Sequence, residues 1–307
     1  MRYRVVLLMG AQFEGLRDVA EMLELALREA DLPVQLVVLP GALYALENGV
    51  QDILVGAHAT PEIWDRVPPR TALGTLEGFA GTPSPIVYQT ESLLNERQLV
   101  VPSWWRRQAM RAVTWDFSAM NAMLLHTKHV PLGYVKAFVR PLATQPFPDT
   151  DVLFYGAMNE RRARLIPSLQ SLGLRTQIIM GNLGAHLDAT IARSKVVLFA
   201  HLKGPGLFDS THILPLIHRG VCVLDERSCN GEGLMVCSSA PYEELPEAAL
   251  GLVRGDRYIV QRAEDHVRLR QQAPFGATLL EALGLQQRER AQRPAVVSFE
   301  SASAESP

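Results

Sequence analysis

The 307-residue chain carries only three cysteines, Cys222, Cys229 and Cys237. An odd, sparse count with no C-x-x-C spacing argues against both a disulfide framework and a zinc site, and it fits a reducing cytoplasm. Neither sign of charge is in excess: 30 Lys and Arg face 32 Asp and Glu. No global field therefore drives the chain toward nucleic acid or an anionic membrane, although a local basic groove remains open to it. No apolar run approaches the roughly 18 residues a membrane-spanning helix needs, so none is expected. The first residues, MRYRVVLLMGAQFEG, are no secretory signal, because their apolar run is short, stops at Gly10 and is followed by acidic helical residues. No G-x-G-x-x-G follows either leading strand, which counts against a dinucleotide oxidoreductase. No sequence repeat is visible.

What is present is alternation. Arg4–Met9, Val34–Leu39, Asp52–Ala57, Pro85–Gln89 and Arg111–Trp115 read as strands, and Val130 opens a short sixth run. Leu16–Ala30 has apolar residues at helical spacing and ends before Pro33. The second half repeats the order, with strands at Val152–Tyr155, Arg175–Met180, Lys195–Ala200 and Val221–Asp225. Helices at Asn159–Leu172, Leu183–Arg193, Phe208–Arg219 and Tyr242–Val253 follow them, the third tolerating Pro215. Alternating strands and helices predict an α/β protein with mainly parallel sheets covered on both faces. Pro141, Pro146 and Pro148 fall close together in Val139–Asp149 and make a stiff linker. The expected organisation is a Rossmann-like domain over 1–140, a second over 150–285, and a disordered tail over 286–307 rich in Arg, Gln, Ser, Ala and Glu.

The stretch Asp151–Ile166, DVLFYGAMNERRARLI, carries the most information. A strand ends in Gly156, and a polar turn with Asn159, Arg161 and Arg162 opens a helix. The glycine allows close backbone approach, and the free N–H groups of a helix start favour an anion.

Ligands of open parallel sheets bind beyond the carboxyl ends of the strands. In the first half that rule selects Gln12, Glu14, His58, Gln89, Glu91 and Asp116; Glu14 and His58 are the candidate general bases. The alternatives are that Glu14 caps its helix and His58 is a polar loop residue. In the second half the rule selects Gly156, Asn159, Arg161, Gly181, His201, Lys203 and Glu226. The run His201–His212, HLKGPGLFDSTH, pairs a glycine loop without evident structural need with the N-cap types Asp209, Ser210 and Thr211, plus His212 on the first turn. Lys203 and that helix start suit a diphosphate, although an ordinary capped helix would read the same. Glu226, at a strand end, could accept from ribose hydroxyls or pair with Arg227. Asp149-Thr150-Asp151 precedes a strand and points away from the ligand end, so its resemblance to a metal-binding Asp-x-Asp is read as chance. Trp104, Trp105, Arg106 and Arg107 read as core packing plus a solvated face, with acceptor contact as the alternative.

In order along the chain, TWDFSAMN (Thr114–Asn121), VPLGY (Val130–Tyr134), DVLFYGAMNERR, a strand ending in FAHLKG and FDSTHILPLIHRGVCVLDE together resemble bacterial and phage glycosyltransferases of the GT-B type. The resemblance runs from about Thr114 to Glu226. It implies two Rossmann-like domains facing a cleft, with a nucleotide-sugar donor on the C-terminal one and the acceptor on the N-terminal one. It places Gly156, Asn159 and Arg161 at the donor phosphates and Glu226 at the ribose or sugar. Asp209 and His212 stand where the family more often has Glu and Arg, and Leu234 stands where a paired Glu-x7-Glu would have its second acid.

The expected function is a cytoplasmic, metal-independent hexosyl- or pentosyltransferase. The nucleotide sugar is its substrate, no cofactor is needed, and the acceptor is a glycan, protein, small molecule or modified nucleic acid. The rivals are a non-catalytic GT-B-like binding or scaffold protein, a DNA-modifying sugar transferase whose acceptor groove would include the Trp104–Arg111 segment, and another nucleotide-dependent enzyme such as an epimerase.

Overall fold

A computed structural model describes residues 1–9, 13–70, 81–91, 103–142, 148–180, 185–202, 204, 206–229, 231, 235–272 and 274–285; of residues 13, 14, 103, 104, 106 and 185 it describes the backbone alone. Residues 286–307, expected as a disordered tail, lie outside these.

The first half contains β1 (Arg2–Met9), α1 (Phe13–Glu29), β2 (Val34–Pro40), β3 (Val50–Val55), β4 (Ile86–Gln89), α2 (Ser103–Arg111), β5 (Val113–Asp116), α3 (Ala119–Leu125) and β6 (Lys128–His129). The second contains β7 (Thr150–Tyr155), α4 (Glu160–Ala163), α5 (Leu165–Ser171), β8 (Thr176–Ile179), α6 (Ala185–Ala192), β9 (Ser194–Phe199), α7 (Ser210–His218), β10 (Val223–Glu226), β11 (Ser238–Ala240), α8 (Leu245–Val253), α9 (Arg257–Gln271) and α10 (Phe275–Ala282). Two sheets result, six-stranded β2-β1-β3-β4-β5-β6 and five-stranded β11-β10-β9-β7-β8. Every pairing is parallel.

The physical reason is burial on both sheet faces. All six residues of β3 are buried, as expected of a parallel strand covered on both faces. Helix α1 turns Leu16, Val19, Ala20, Leu23, Ala26 and Leu27 inward, one stripe at helical spacing. The largest core cluster is continuous through both halves, joining Leu7 and Leu23 to Val197, Ile213 and Val223. No helix among the described residues is long and apolar enough to cross a membrane.

Some expectations change. The helix anticipated over Asn159–Leu172 is two, α4 and α5, meeting at Arg164. Arg111 closes α2 instead of opening β5. Strand β11 was not anticipated, since three Ser- and Ala-rich residues carry no pattern. Helix α10 lies in sequence with the second half yet packs on α1, where a Cβ at Gly276 would stand 2.7 Å from the Ala26 carbonyl oxygen. Phe275 meets Tyr88 edge to face, and its N–H donates to the Tyr134 carbonyl at 2.9 Å. Lys128 Nζ donates to the Ala282 carbonyl at 2.9 Å, neutralising the negative end of α10.

The halves are also sewn together by His218 at the end of α7. Its Nε2 accepts from the Val135 N–H at 3.0 Å and its Nδ1–H donates to the Leu214 carbonyl at 2.8 Å. Tyr134 stacks flat on the ring. Burial holds this imidazole at about 4, so the ring is neutral.

Candidate functional site

On the second half, three strand ends converge. Gly156 follows β7 at φ 105°, a left-handed turn that glycine enters without strain. Asn159 then caps α4, its Oδ1 accepting from the Arg162 N–H at 3.0 Å, while its Nδ2 donates to the Leu202 carbonyl. Arg161 closes two-pronged on Glu226, at 2.7 and 2.6 Å, and also donates to the His201 carbonyl at 2.8 Å. The His201 N–H donates to Glu226 Oε2 at 2.8 Å. Tyr242 lies against the guanidinium, 3.8 Å from ring centroid to Cζ. Arg162 donates to the Ala200 and Ala157 carbonyls. Arg161, expected at the donor phosphates, thus serves protein acceptors, as does its neighbour Arg162, and both Glu226 oxygens are engaged.

Helix α7 starts at Ser210 with Asp209 in the N-cap position. The Asp209 side chain makes no cap hydrogen bond; it turns to His212, with Nδ1 3.0 Å from each carboxylate oxygen, and accepts from Thr211 Oγ1 at 2.8 Å. Burial would raise the Asp209 carboxyl, but the imidazolium outweighs it and holds the acid at about 2. Asp209 in turn raises His212 against burial, with help from Glu91 and Asp18. The side chains are 42 % and 35 % exposed to the cleft, so solvent screens the pair below the worth of a sealed contact. Beside it, the buried Ser210 Oγ, Ser228 Oγ and His201 Nε2 have no hydrogen-bond partner among the described residues. Unsatisfied buried polar atoms cost about 1–3 kcal/mol each, which favours a polar ligand or water arriving there.

The glycine loop before α7 has structural needs the sequence did not reveal. A Cβ at Gly206 would stand 3.0 Å from His201 Nδ1, and Gly204 has φ 97°. Gly181, Lys203 and the side chain of Glu14 lie outside the described residues.

On the first half, Gly56 at φ 84° ends β3 and starts the turn that carries His58. His58 Nε2 lies 3.1 Å from Glu91 Oε1. Sequence reasoning had selected both residues by the strand-end rule without pairing them. Asp116, fully buried at the end of β5, is pushed up to about 7 by burial, although the Ser118 N–H at 3.0 Å and Asn121 favour its charge. Glu91 also adds to the field that favours the His212 cation, so the first half contributes to the electrostatics of the second. Between the halves runs a cavity of about 560 Å³ whose lining includes Gly15, Asp18, Arg140, Tyr155, His212 and Arg219. Arg219 bridges the halves, 2.6 Å from Asp188 and 4.0 Å from Asp18. Asp149 pairs with Arg193, and Asp151 with Arg175 and Lys195, so the Asp-x-Asp carboxylates serve as ion-pair partners.

No protein-family model matches this sequence, and no curated protein matches it. Solved structures do. AviGT4, a glycosyltransferase involved in avilamycin A biosynthesis, is similar at TM-score 0.52 and 13 % identity, over 95 % of this chain and 98 % of that one. A protein described as a UDP-N-acetylglucosamine 2-epimerase from Listeria monocytogenes reaches 0.49 and 13 %, over 96 % and 99 %. MurG from Acinetobacter baumannii reaches 0.41 and 11 %, over 94 % and 100 %. The first likeness, with the two parallel sheets, identifies the fold as GT-B: two Rossmann-like units facing a cleft.

Proposed function

We propose that this GT-B chain transfers a sugar from a nucleotide-activated donor to an acceptor hydroxyl, the donor held by the second half and the acceptor entering from the first. The observation that carries the reading is a histidine–carboxylate contact on each half, His58–Glu91 on the first and His212–Asp209 on the second, with His212 lining the cavity between the halves. His58 takes the acceptor proton, and Glu91 stabilises the resulting imidazolium. As the new C–O bond forms at the anomeric carbon, the bond to the donor's β-phosphate oxygen breaks. The charge left on the diphosphate is met by the His212 imidazolium, the free N–H groups at the start of α7 and the Ser210 hydroxyl. Closure of the halves excludes water, whose attack on the donor is the competing reaction.

Arg161 and Glu226 have a different role in this reading from the one their positions suggested. Joined to each other and to the His201 main chain, they fix the three strand ends on which the donor rests. That same closure is what favours the second reading, a binding protein without turnover, since both Glu226 oxygens already accept from the protein.

Thermal-shift measurements with UDP-, GDP-, ADP- and dTDP-sugars, followed by a donor-hydrolysis assay, separate the readings. Stabilisation by one nucleotide sugar together with slow hydrolysis supports the transferase. Stabilisation without hydrolysis or transfer supports the binding protein. If none of the four stabilises the chain, the donor site proposed here is wrong.

A further inference from the structure

The segment Thr114–Asn121 ends β5 and opens α3, and its polar residues form a ladder. The Ser118 N–H donates to Asp116 Oδ1 at 3.0 Å. Ser118 Oγ accepts from the Asn121 N–H at 3.5 Å, the cap of α3. Asn121, fully buried, then sends Nδ2 out of its own element to the Glu91 carbonyl at 2.9 Å. Gln89, also fully buried, donates to the same carbonyl at 3.4 Å, and Gln89 stands in register beside Asp116. Glu91 is the residue whose carboxylate meets His58 at 3.1 Å.

We infer that Asn121, held by Asp116 and Ser118, is a positioning residue for the His58–Glu91 pair. The ladder fixes the main chain of Glu91 where it leaves the sheet, so that its carboxylate comes within hydrogen-bond reach of the imidazole. A shift of about 1 Å there would open the contact, and misplacements of that size cost on the order of 100-fold in rate when they reach the reacting groups. The catalytic consequence rests on the reading of His58 as the base; the geometric one does not.

The test therefore uses two readouts on the full chain. In Asn121→Ala, kcat for transfer falls about 10- to 100-fold while the donor KM stays within about twofold, because the donor lies on the other half. Adding Asn121→Ala to His58→Ala produces no further loss, since both act through one group. Independently of activity, the imidazole ¹⁵N spectrum of His58 changes at Nε2 in the variant. Asn121→Leu, close in size and without a donor, reproduces both effects and replaces Asn121→Ala if that variant does not fold. Wild-type His58 nitrogen signals in both variants would overturn the inference. Full activity of His58→Ala would instead remove the base assignment, and the nitrogen spectrum would still decide whether Asn121 holds the pair.

Discussion

Arg161 and Glu226, 65 residues apart, grip each other through two parallel hydrogen bonds at the mouth of the second sheet. Glu226 is 2 % exposed and Arg161 23 %, so the acid has little water to fall back on. Removing one partner strands a buried charge, at a cost of about 3–5 kcal/mol. Arg161→Ala and Glu226→Ala are therefore each expected to lower the urea midpoint strongly, and the double variant to lose less than the sum. Singles within about 0.5 kcal/mol of wild type would show the pair to be an idle surface contact.

Donor affinity should depend on pH through His212. Asp209 raises this imidazole above its ordinary 6.5, so the cation is present below the raised value and is lost as pH rises through it. Nucleotide-sugar affinity measured by titration calorimetry should weaken across that step, and His212→Arg should abolish the step while retaining binding. A flat profile in the wild type would remove His212 from the anion site.

Asp265 gives an opposite lesson about burial. It is fully buried on α9, takes the Gln261 amide at 2.7 Å, and burial pushes it up to about 7 from 3.8. Its folded value is raised, so the folded state holds a proton that the unfolded chain has already released. Stability then falls as pH rises from about 4 to about 7, by at most about 4 kcal/mol. Asp265→Asn should flatten that part of a pH series of urea midpoints; an unchanged slope would assign it to other groups.

His218 acts at the acid end. Burial depresses its folded value to about 4, so the neutral ring, whose Nε2 accepts from the Val135 N–H, is fully favoured above 6.5 and that contact fails as pH falls toward 4. The loss reaches at most about 3 kcal/mol. His218→Gln should lower stability at pH 7 yet show a shallower decline between pH 6.5 and 4.

Gly276→Ala tests the return of α10. The added methyl would meet the Ala26 carbonyl, which cannot swing aside as a flexible side chain can. Overpacking of this kind costs about 1–3 kcal/mol, readable as a drop in Tm. A Tm unchanged within a degree or so would mean that α10 does not seat against α1 as described.

The parallel architecture was legible in the sequence because short apolar runs at 5–9, 53–55 and 152–155 alternate with helical segments, as strands covered on both faces by helices do. The strand-end rule likewise drew attention to His58, Glu91 and Glu226, and the helix start in His201–His212 to Asp209 and His212. What it could not supply was partnership. Whether Glu226 faces a ribose or Arg161, and whether Glu91 finds His58, depends on how strands far apart in sequence sit side by side. The role of Gly206 was hidden for the same reason, since its neighbour His201 is brought close only by the folded loop. Helix α10 carries an ordinary amphipathic pattern, and nothing in that pattern says which half will receive it.

That return has a mechanical side. The chain passes between the halves twice, through the linker after Val139 and again before Phe275, and the second passage runs beside Tyr134 near the first, where Tyr134 and Pro274 are bridged. With the second passage bridged to Tyr134, the two crossings act as a strap hinge rather than a swivel. They resist twisting of one half against the other and leave rocking about the strap as the soft motion. Each opening of the cleft should therefore follow the same arc and bring Arg219 of the second half back to Asp18 of the first.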